Sequence, residues 1–322
     1  MPLVSVFLPT YNHAPYIRAA IESALAQDYA PLEIVIGDDA STDVTWEVID
    51  ACRREFGESR IRAFRNPHNL GITANANRIL AQCRGQFIVF FSGDDLLLPG
   101  KIAKQIAPMR RDPQVVLSYH DVSVFASASG CEIRRWNSGP LGERPITGSC
   151  GKLAHKLVQC GTSFLCALSV VARRDALPPD GFDARVQAAS DWLLWIEICA
   201  NARGRVEYVP EVLARHRRHD TNVTLQSDMF THDWELTLAI VEEKYPALRR
   251  SAAICRARRL HSDGIARVLR GDHKGGRRDI LQALLAGSGQ WKAVPWLLHS
   301  VGVESGWLAP RAQHDPRGKV GQ

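Results

Sequence analysis

In the stretch FFSGDDLLLPG, residues 90–100, two carboxylates stand side by side between apolar runs. Asp94 and Asp95 cannot both be buried as bare neighbouring anions, so positive charge must meet them. Hard carboxylate oxygens suit Mg2+ or Mn2+, and an ion held there would neutralise a polyphosphate. Three more polar clusters share this setting, each following an apolar run: PTYN (Pro9, Thr10, Tyr11 and Asn12), DDASTD (38–43) and NPHNLGITANAN (66–77).

The elements that must position these clusters are legible as patterns. LVSVFL (3–8), LEIVIG (32–37), RIRAF (60–64), QFIVFF (86–91) and VVLSY (115–119) predict strands. Between them three sets of residues each fall on one helical face: Ile17, Ala20, Ile21, Ala24 and Leu25, then Val44, Val48, Ile49, Cys52 and Phe56, then Ile72, Ala76, Ile79, Leu80 and Cys83. Ser41 or Asp43 would cap the second helix. Such alternation predicts a parallel sheet wrapped by helices, where ligands bind beyond the carboxyl ends of the strands. All four clusters fall on that rim. No G-x-G-x-x-G follows the first strand and no G-x-x-x-x-G-K-[ST] occurs, so a dinucleotide-binding Rossmann site and a P-loop are unsupported. A polyphosphate here would need a cation in place of a glycine cradle.

VSVFLPTYN, EIVIGDDASTD, NLGITANANRIL, GQFIVFFSGDD, GFDARVQAASDWLLW and RHRRHDTNVT follow one another in an order that resembles the family 2 glycosyltransferases with the GT-A fold, over roughly residues 3–222. The resemblance implies an α/β fold with a mostly parallel, Rossmann-like sheet. It also implies inverting transfer of a sugar from a nucleotide diphosphate, UDP by preference, to an acceptor hydroxyl. Tyr11 matches the ring that stacks on the base, and Asp39 the carboxylate that accepts its imide hydrogen. Asp94 would meet ribose or help the metal, and Asp95 would bind Mn2+ or Mg2+ directly. Asp191 matches the catalytic base, and Arg217 and His219 a late R-x-H motif at diphosphate or metal. Pro9, Thr10, Asn12 and Asn77 complete the nucleotide-binding set.

Two departures stand out. Ser92 replaces the first carboxylate of the usual D-x-D-D run, and Ala76 stands where an arginine often precedes the asparagine of the third motif. Asp43 reads as a helix cap, Asp191 as a helix cap that can also face the site, and Glu197 as structural. Of His216 and His219, only His219 is assigned to the site.

The remainder of the chain bounds these expectations. It has 322 residues, 45% hydrophobic and 23% charged, an ordinary globular composition. The opening MPLVSVFLPTYN reads as a strand rather than a signal peptide, and no apolar run is long enough to span a membrane. The eight cysteines include no C-x-x-C pair and read as reduced thiols of a cytoplasmic protein. Ten basic residues against two acidic ones lie between Arg249 and Arg278. They are read as a solvated helix face first, as a peripheral contact with anionic membrane second, and not as a nucleic-acid surface. WKAVPWLLHSVGV (291–303) could lie in a membrane interface through Trp291 and Trp296, or cover the core.

The expected organisation is a GT-A domain over 1–222, with a nucleotide-binding half (1–120) and an acceptor half (121–222), and a basic helical extension over 223–322. The expected partners are a nucleotide-sugar donor and a glycan or lipid-linked acceptor, in bacterial surface polysaccharide or lipopolysaccharide synthesis. A sugar-nucleotide nucleotidyltransferase is the first rival, but LPTYNHAPY lacks the Gly-rich basic loop it needs. A non-catalytic nucleotide- or glycan-binding relative is the second; Asp39, Asp95 and Asp191 argue against it and Ser92 for it.

Overall fold

The computed structural model describes residues 1–139, 142–220, 222, 227–286, 295 and 297. The chain divides into two compact units, Met1–Tyr245 and Pro246–Gln322. The first opens with the expected alternation: β1 (Val4–Thr10), α1 (Ile17–Leu25), β2 (Leu32–Asp38), α2 (Thr45–Phe56), β3 (Ile61–Arg65), α3 (Ile72–Gln82) and β4 (Phe87–Phe90). β3, β2, β1 and β4 lie side by side in parallel. Their near-continuous apolar runs follow from cover on both faces, and Ile17, Ile21 and Ile49 of the helices join Val6, Leu8, Ile34, Ile36 and Val89 in one core.

The chain continues through β5 (Leu96–Leu97), α4 (Lys101–Arg111), β6 (Val115–Ala126), β7 (Glu132–Arg135), β8 (Gly148–Ser149), α5 (Cys150–Cys160), β9 (Val171–Arg173), α6 (Ser190–Asn201), β10 (Arg205–Arg218) and α7 (Ser227–Lys244). The strand order is β3-β2-β1-β4-β9-β6-β10-β5. This second half is mixed rather than parallel. β9 sits antiparallel between β4 and β6, β6 runs parallel to β10, and β5 lies antiparallel against β10. β9 is three residues long and is reached from α5 through two 3-10 turns, Gly161–Ser163 and Ala167–Ser169. The strand expected over 115–119 runs on to Ala126, and the polar segment after it carries β7, which folds back on β6 as a hairpin.

The first unit runs past residue 222 because α7 is bonded into it. Lys244 pairs with Glu197 of α6 (2.8 Å) and with Asp183 (3.5 Å). In the second unit α8 (Arg249–Leu269) and α9 (His273–Leu285) pack as a hairpin that turns at Gly271. Gly264 and Gly276 let the two backbones meet: a Cβ on Gly276 would stand 2.6 Å from the Gly264 carbonyl. Asp279, buried, pairs with Arg267 at 3.0 Å. Trp291, Trp296 and the expected break near Gly287 lie outside the described residues. Among the described residues no helix is long and apolar enough to cross a membrane. All eight cysteines are free thiols.

At the edge of the sheet opposite the polar rim, buried Glu33 ties β2 to its neighbours. It accepts from the Ser5 hydroxyl (2.5 Å) and the Arg84 amide (2.7 Å), and pairs with Arg62 at 3.3 Å. Gly85 presses against this knot, and a Cβ there would stand 2.5 Å from the Ser5 backbone nitrogen. Gly85→Ala should therefore destabilise the unit by about 1–3 kcal/mol. The check is a lower midpoint in urea unfolding with the distant rim left competent to bind ligand.

Candidate active site

The carboxyl ends of β1, β2 and β4 bring the first clusters together, and β10 supplies the charge they need. Asp94 and Asp95 follow β4, and both are buried. The Arg217 amide donates to Asp95 Oδ1 at 2.8 Å, and His216 Nδ1 lies 3.1 Å from the same oxygen. Asp94 is held from its other side: Ser92 donates to Oδ1 (2.5 Å), while His219 Nε2 (3.1 Å) and the Asn222 amide (3.3 Å) meet Oδ2. The Arg217 Nε donates to the Asp94 carbonyl at 2.7 Å, and its guanidinium lies over both the Tyr16 and Phe125 rings, 4.8 Å from each. Tyr16 also stacks on His219 at 4.8 Å. Thus Asp94, Asp95, Arg217 and His219 form one cluster, as the motifs imply.

Its electrostatics follow from burial against charge. Burial alone would raise the Asp94 carboxyl. The His219 hydrogen bond, nearby His13, Ser92 and His216 outweigh it and hold Asp94 well below the ordinary carboxylate range. Asp95 is pushed upward, chiefly by burial and also by Asp94, with His216 and the Arg217 amide offsetting only part. Burial would lower His216, but Asp95 and then Asp94 outweigh it and keep the imidazole protonated above its ordinary pH.

The rest of the rim is tied by hydrogen bonds of its own. Asn12, in a left-handed conformation (φ 54°), accepts from the Thr42 amide at 2.8 Å and donates its own amide to Ser41 Oγ. Asp43 accepts from the Thr45 amide (2.9 Å) at the start of α2 and from the Ala14 amide (3.2 Å). Asp39 accepts from Asn66 (2.7 Å) and from the amides of Leu70 (2.8 Å) and Gly71 (2.9 Å), and so fixes the loop after β3. Tyr11 stands 42% exposed just past β1. Pro9 lies in β1, in register with Gly37.

Asn77 is placed elsewhere. Its amide brackets Phe182, donating to the carbonyl and accepting from the amide, both at 2.8 Å. Arg78, next in sequence, donates to Asn66 at 2.5 Å and lies over the Phe64 ring.

Asp191 lies in the first turn of α6 and accepts from the Trp192 amide at 2.8 Å. Burial raises its carboxyl to about 6, with only backbone amides opposing. The buried Cys166 thiol is pushed up first by burial, then by Asp95 and more weakly by Asp191.

Whether a divalent cation suits these residues is a question of donors. Among the described residues no group of three or more His, Cys, Asp and Glu side chains is arranged to hold a metal ion by itself. Most of the carboxylate oxygens are already taken by protein donors. Yet Mg2+ and Mn2+ sites commonly use one or two carboxylates and leave the remaining positions to substrate phosphates, and the pair offers the right oxygen chemistry for that. Two buried polar atoms, Thr10 Oγ1 and His13 Nδ1, have no partner among the described residues. Both border Gly93, where a Cβ would stand 2.7 and 2.9 Å from them. The site is therefore polar beyond what the protein itself satisfies, and the residues fit a bound anion with its cation.

His216, Asn222, Tyr16 and His13 were not assigned to the site from sequence. His216 and Asn222 flank the R-x-H motif within three residues of it. The buried carboxylates demanded more donors than one arginine and one histidine supply, and that demand is the signal that could have found them.

The fold is of the GT-A type. A family model for glycosyl transferase family 2 matches residues 5–144. The Escherichia coli UDP-Glc:alpha-D-GlcNAc-diphosphoundecaprenol beta-1,3-glucosyltransferase WfgD is 36% identical over 199 residues, 61% of this chain and 69% of that one. The chain belongs to glycosyltransferase family 2. The uncharacterized protein Rv1520 of Mycobacterium tuberculosis is 30% identical over 221 residues, 68% of this chain but only 59% of its own length. Among solved structures, the Pyrobaculum calidifontis mannosyltransferase PcManGT, in complex with GDP-Man and Mn2+, superposes with a TM-score of 0.60 at 18% identity, over 96% of this chain and 81% of that one.

In the metal-free protein, Asp95→Asn removes the charge that does most to raise His216 and leaves burial opposed only by the smaller pull of Asp94. The His216 imidazole should then titrate below its ordinary value of 6.5 instead of above it. Nitrogen–proton NMR of the imidazoles across pH checks this directly.

Proposed function

We propose that this protein is an inverting glycosyltransferase that moves a sugar from a nucleotide diphosphate, UDP by preference, to a hydroxyl of a lipid-linked or glycan acceptor in surface polysaccharide synthesis. The observation that carries the proposal is Asp191, a carboxyl in the first turn of α6 raised to about 6 by burial, in the same compact unit as the Asp94–Asp95 cluster. The family membership and the relative named for a UDP-glucose donor and a diphosphoundecaprenol-linked acceptor support the substrate classes.

Asp191 serves as the base. A carboxylate that holds its proton until about pH 6 is a better acceptor than an ordinary one, yet is still ionised at neutral pH. It takes the acceptor hydroxyl proton as that oxygen attacks the anomeric carbon from the face opposite the leaving diphosphate. One displacement inverts the centre, and no enzyme nucleophile is needed. Tyr11 and Asp39 receive the base, and the β10 cluster with Asp94 receives ribose and diphosphate. Asp95, with His219 beside Asp94, would hold Mn2+ or Mg2+, which when bound supplies charge neutralisation to the leaving diphosphate. The excess of basic residues over Arg249–Arg278 suits peripheral contact with an anionic membrane at the cytoplasmic side, where a lipid-linked acceptor would be met.

Asp191→Asn should lower kcat by roughly 10²–10⁴-fold while calorimetric affinity for UDP stays unchanged. In the unsubstituted enzyme kcat/KM should fall tenfold per pH unit below about 6, because protonation removes the base. Full transfer by Asp191→Asn, or a flat profile down to pH 5, contradicts the assignment.

A further inference from the structure

The segment that delivers Asp191 is not self-supporting. Residues 182–189 pass from Phe182 to α6 as turns and bends, and a carboxylate at the first turn of a helix aims only as well as the chain leading into it. Two side chains from different helices grip that chain. Thr73 of α3, buried, donates its hydroxyl to the Val186 carbonyl (2.6 Å) and lies 3.2 Å from that of Gln187. From the other side Asp233 of α7, also buried, accepts through a single oxygen from three successive amides. These are Gln187 (2.8 Å), Ala188 and Ala189 (3.2 Å).

Those three N–H groups precede the helix and have no carbonyl partner within it. A carboxylate that collects all three makes charge-assisted bonds, about twice as strong as neutral ones, and fixes three consecutive peptide planes. Ala189 then accepts the Trp192 amide, so the held planes lead directly into the turn that carries Asp191. α7 is itself fixed at its far end by Lys244 on Glu197 of α6 and on Asp183. The result is a brace, with α7 attached to the base-bearing helix at one end and to its entry loop at the other.

We infer that Asp233 is a positioning residue for the transfer reaction, holding the Gln187–Ala189 amides so that Asp191 meets the acceptor hydroxyl. The inference rests on the reading of Asp191 as the base. It assigns α7, outside all six sequence motifs, to the catalytic unit.

The test compares Asp233→Asn with the unsubstituted enzyme and with Asp191→Asn, in the full chain, with UDP-glucose and its measured acceptor. An asparagine keeps the shape and one acceptor oxygen but loses the charge, so its bonds to the three amides are weaker. The expected result is a 10- to 100-fold fall in kcat with an unchanged donor KM and unchanged UDP affinity, together with faster hydrogen exchange at the amides of residues 187–189. A purely structural role would lower the unfolding midpoint without separating kcat from donor KM. Faster exchange at those amides with full kcat overturns the proposal, as does a kcat loss matched by an equal loss of UDP binding. If Asp191→Asn retains full transfer, the base assignment itself has failed, a result distinguishable from failure of the brace alone. Should Asp233→Asn not fold, Thr73→Val releases the opposite grip and is held to the same split between kcat and donor KM.

Discussion

The arrangement of this protein depends on one problem, the burial of two adjacent carboxylates at the end of a central strand. Asp94 and Asp95 are met by His216 and Arg217 at the end of β10, by His219 just beyond it, by Ser92 of their own loop and by Asn222 on the far side. Removing a donor would leave buried charge less compensated, which is costly. Several features of the fold follow from that demand. β10 is long, runs beside β6 across a bulged register, and pins β5, the strand that continues directly from Asp95, along its edge. The aromatic rings of Tyr16 and Phe125 hold the arginine in place from both sides.

The two halves of the site are built differently. The proposed nucleotide half is a rim of loops whose polar side chains bond neighbouring segments: Asn12 to the DDASTD turn, Asp39 to the loop after β3. Little needs to move for such a rim to receive a flat base and a ribose. The acceptor half rests on a single helix start. There the carboxyl of Asp191, the proposed base, is raised by desolvation, and α3 and α7 together fix the approach. Preorganisation of this kind is where a transfer enzyme gains rate, because misplacement of about 1 Å at the base is costly.

Much of this was legible in the residues. The first four strands and three helices followed from apolar periodicity because both faces of that sheet are covered and its crossovers are regular. The carboxylate pair announced a buried charge problem, and the R-x-H motif supplied part of its answer. What the pattern did not convey were long-range choices. β9 enters antiparallel through 3-10 turns that leave no periodic trace. Asn77 shares a motif with the rim yet turns to bracket Phe182, because a helix points neighbouring residues in different directions. Asp233 lies in an unremarkable helical stretch, and only the three amides waiting for it 44 to 46 residues away give it meaning. A resemblance confined to residues 3–222 likewise stopped short of α7, which the first unit includes.

The central claim is that the buried carboxylate pair and its β10 partners form a nucleotide-diphosphate site completed by a divalent cation. Calorimetric titration of the purified protein with UDP, with and without Mn2+, and again on Asp95→Ala, addresses it most directly. The account predicts micromolar binding that requires Mn2+ and is lost in the variant. Binding of equal strength without the metal and in Asp95→Ala, or no binding of UDP, GDP or dTDP under any condition, would contradict it.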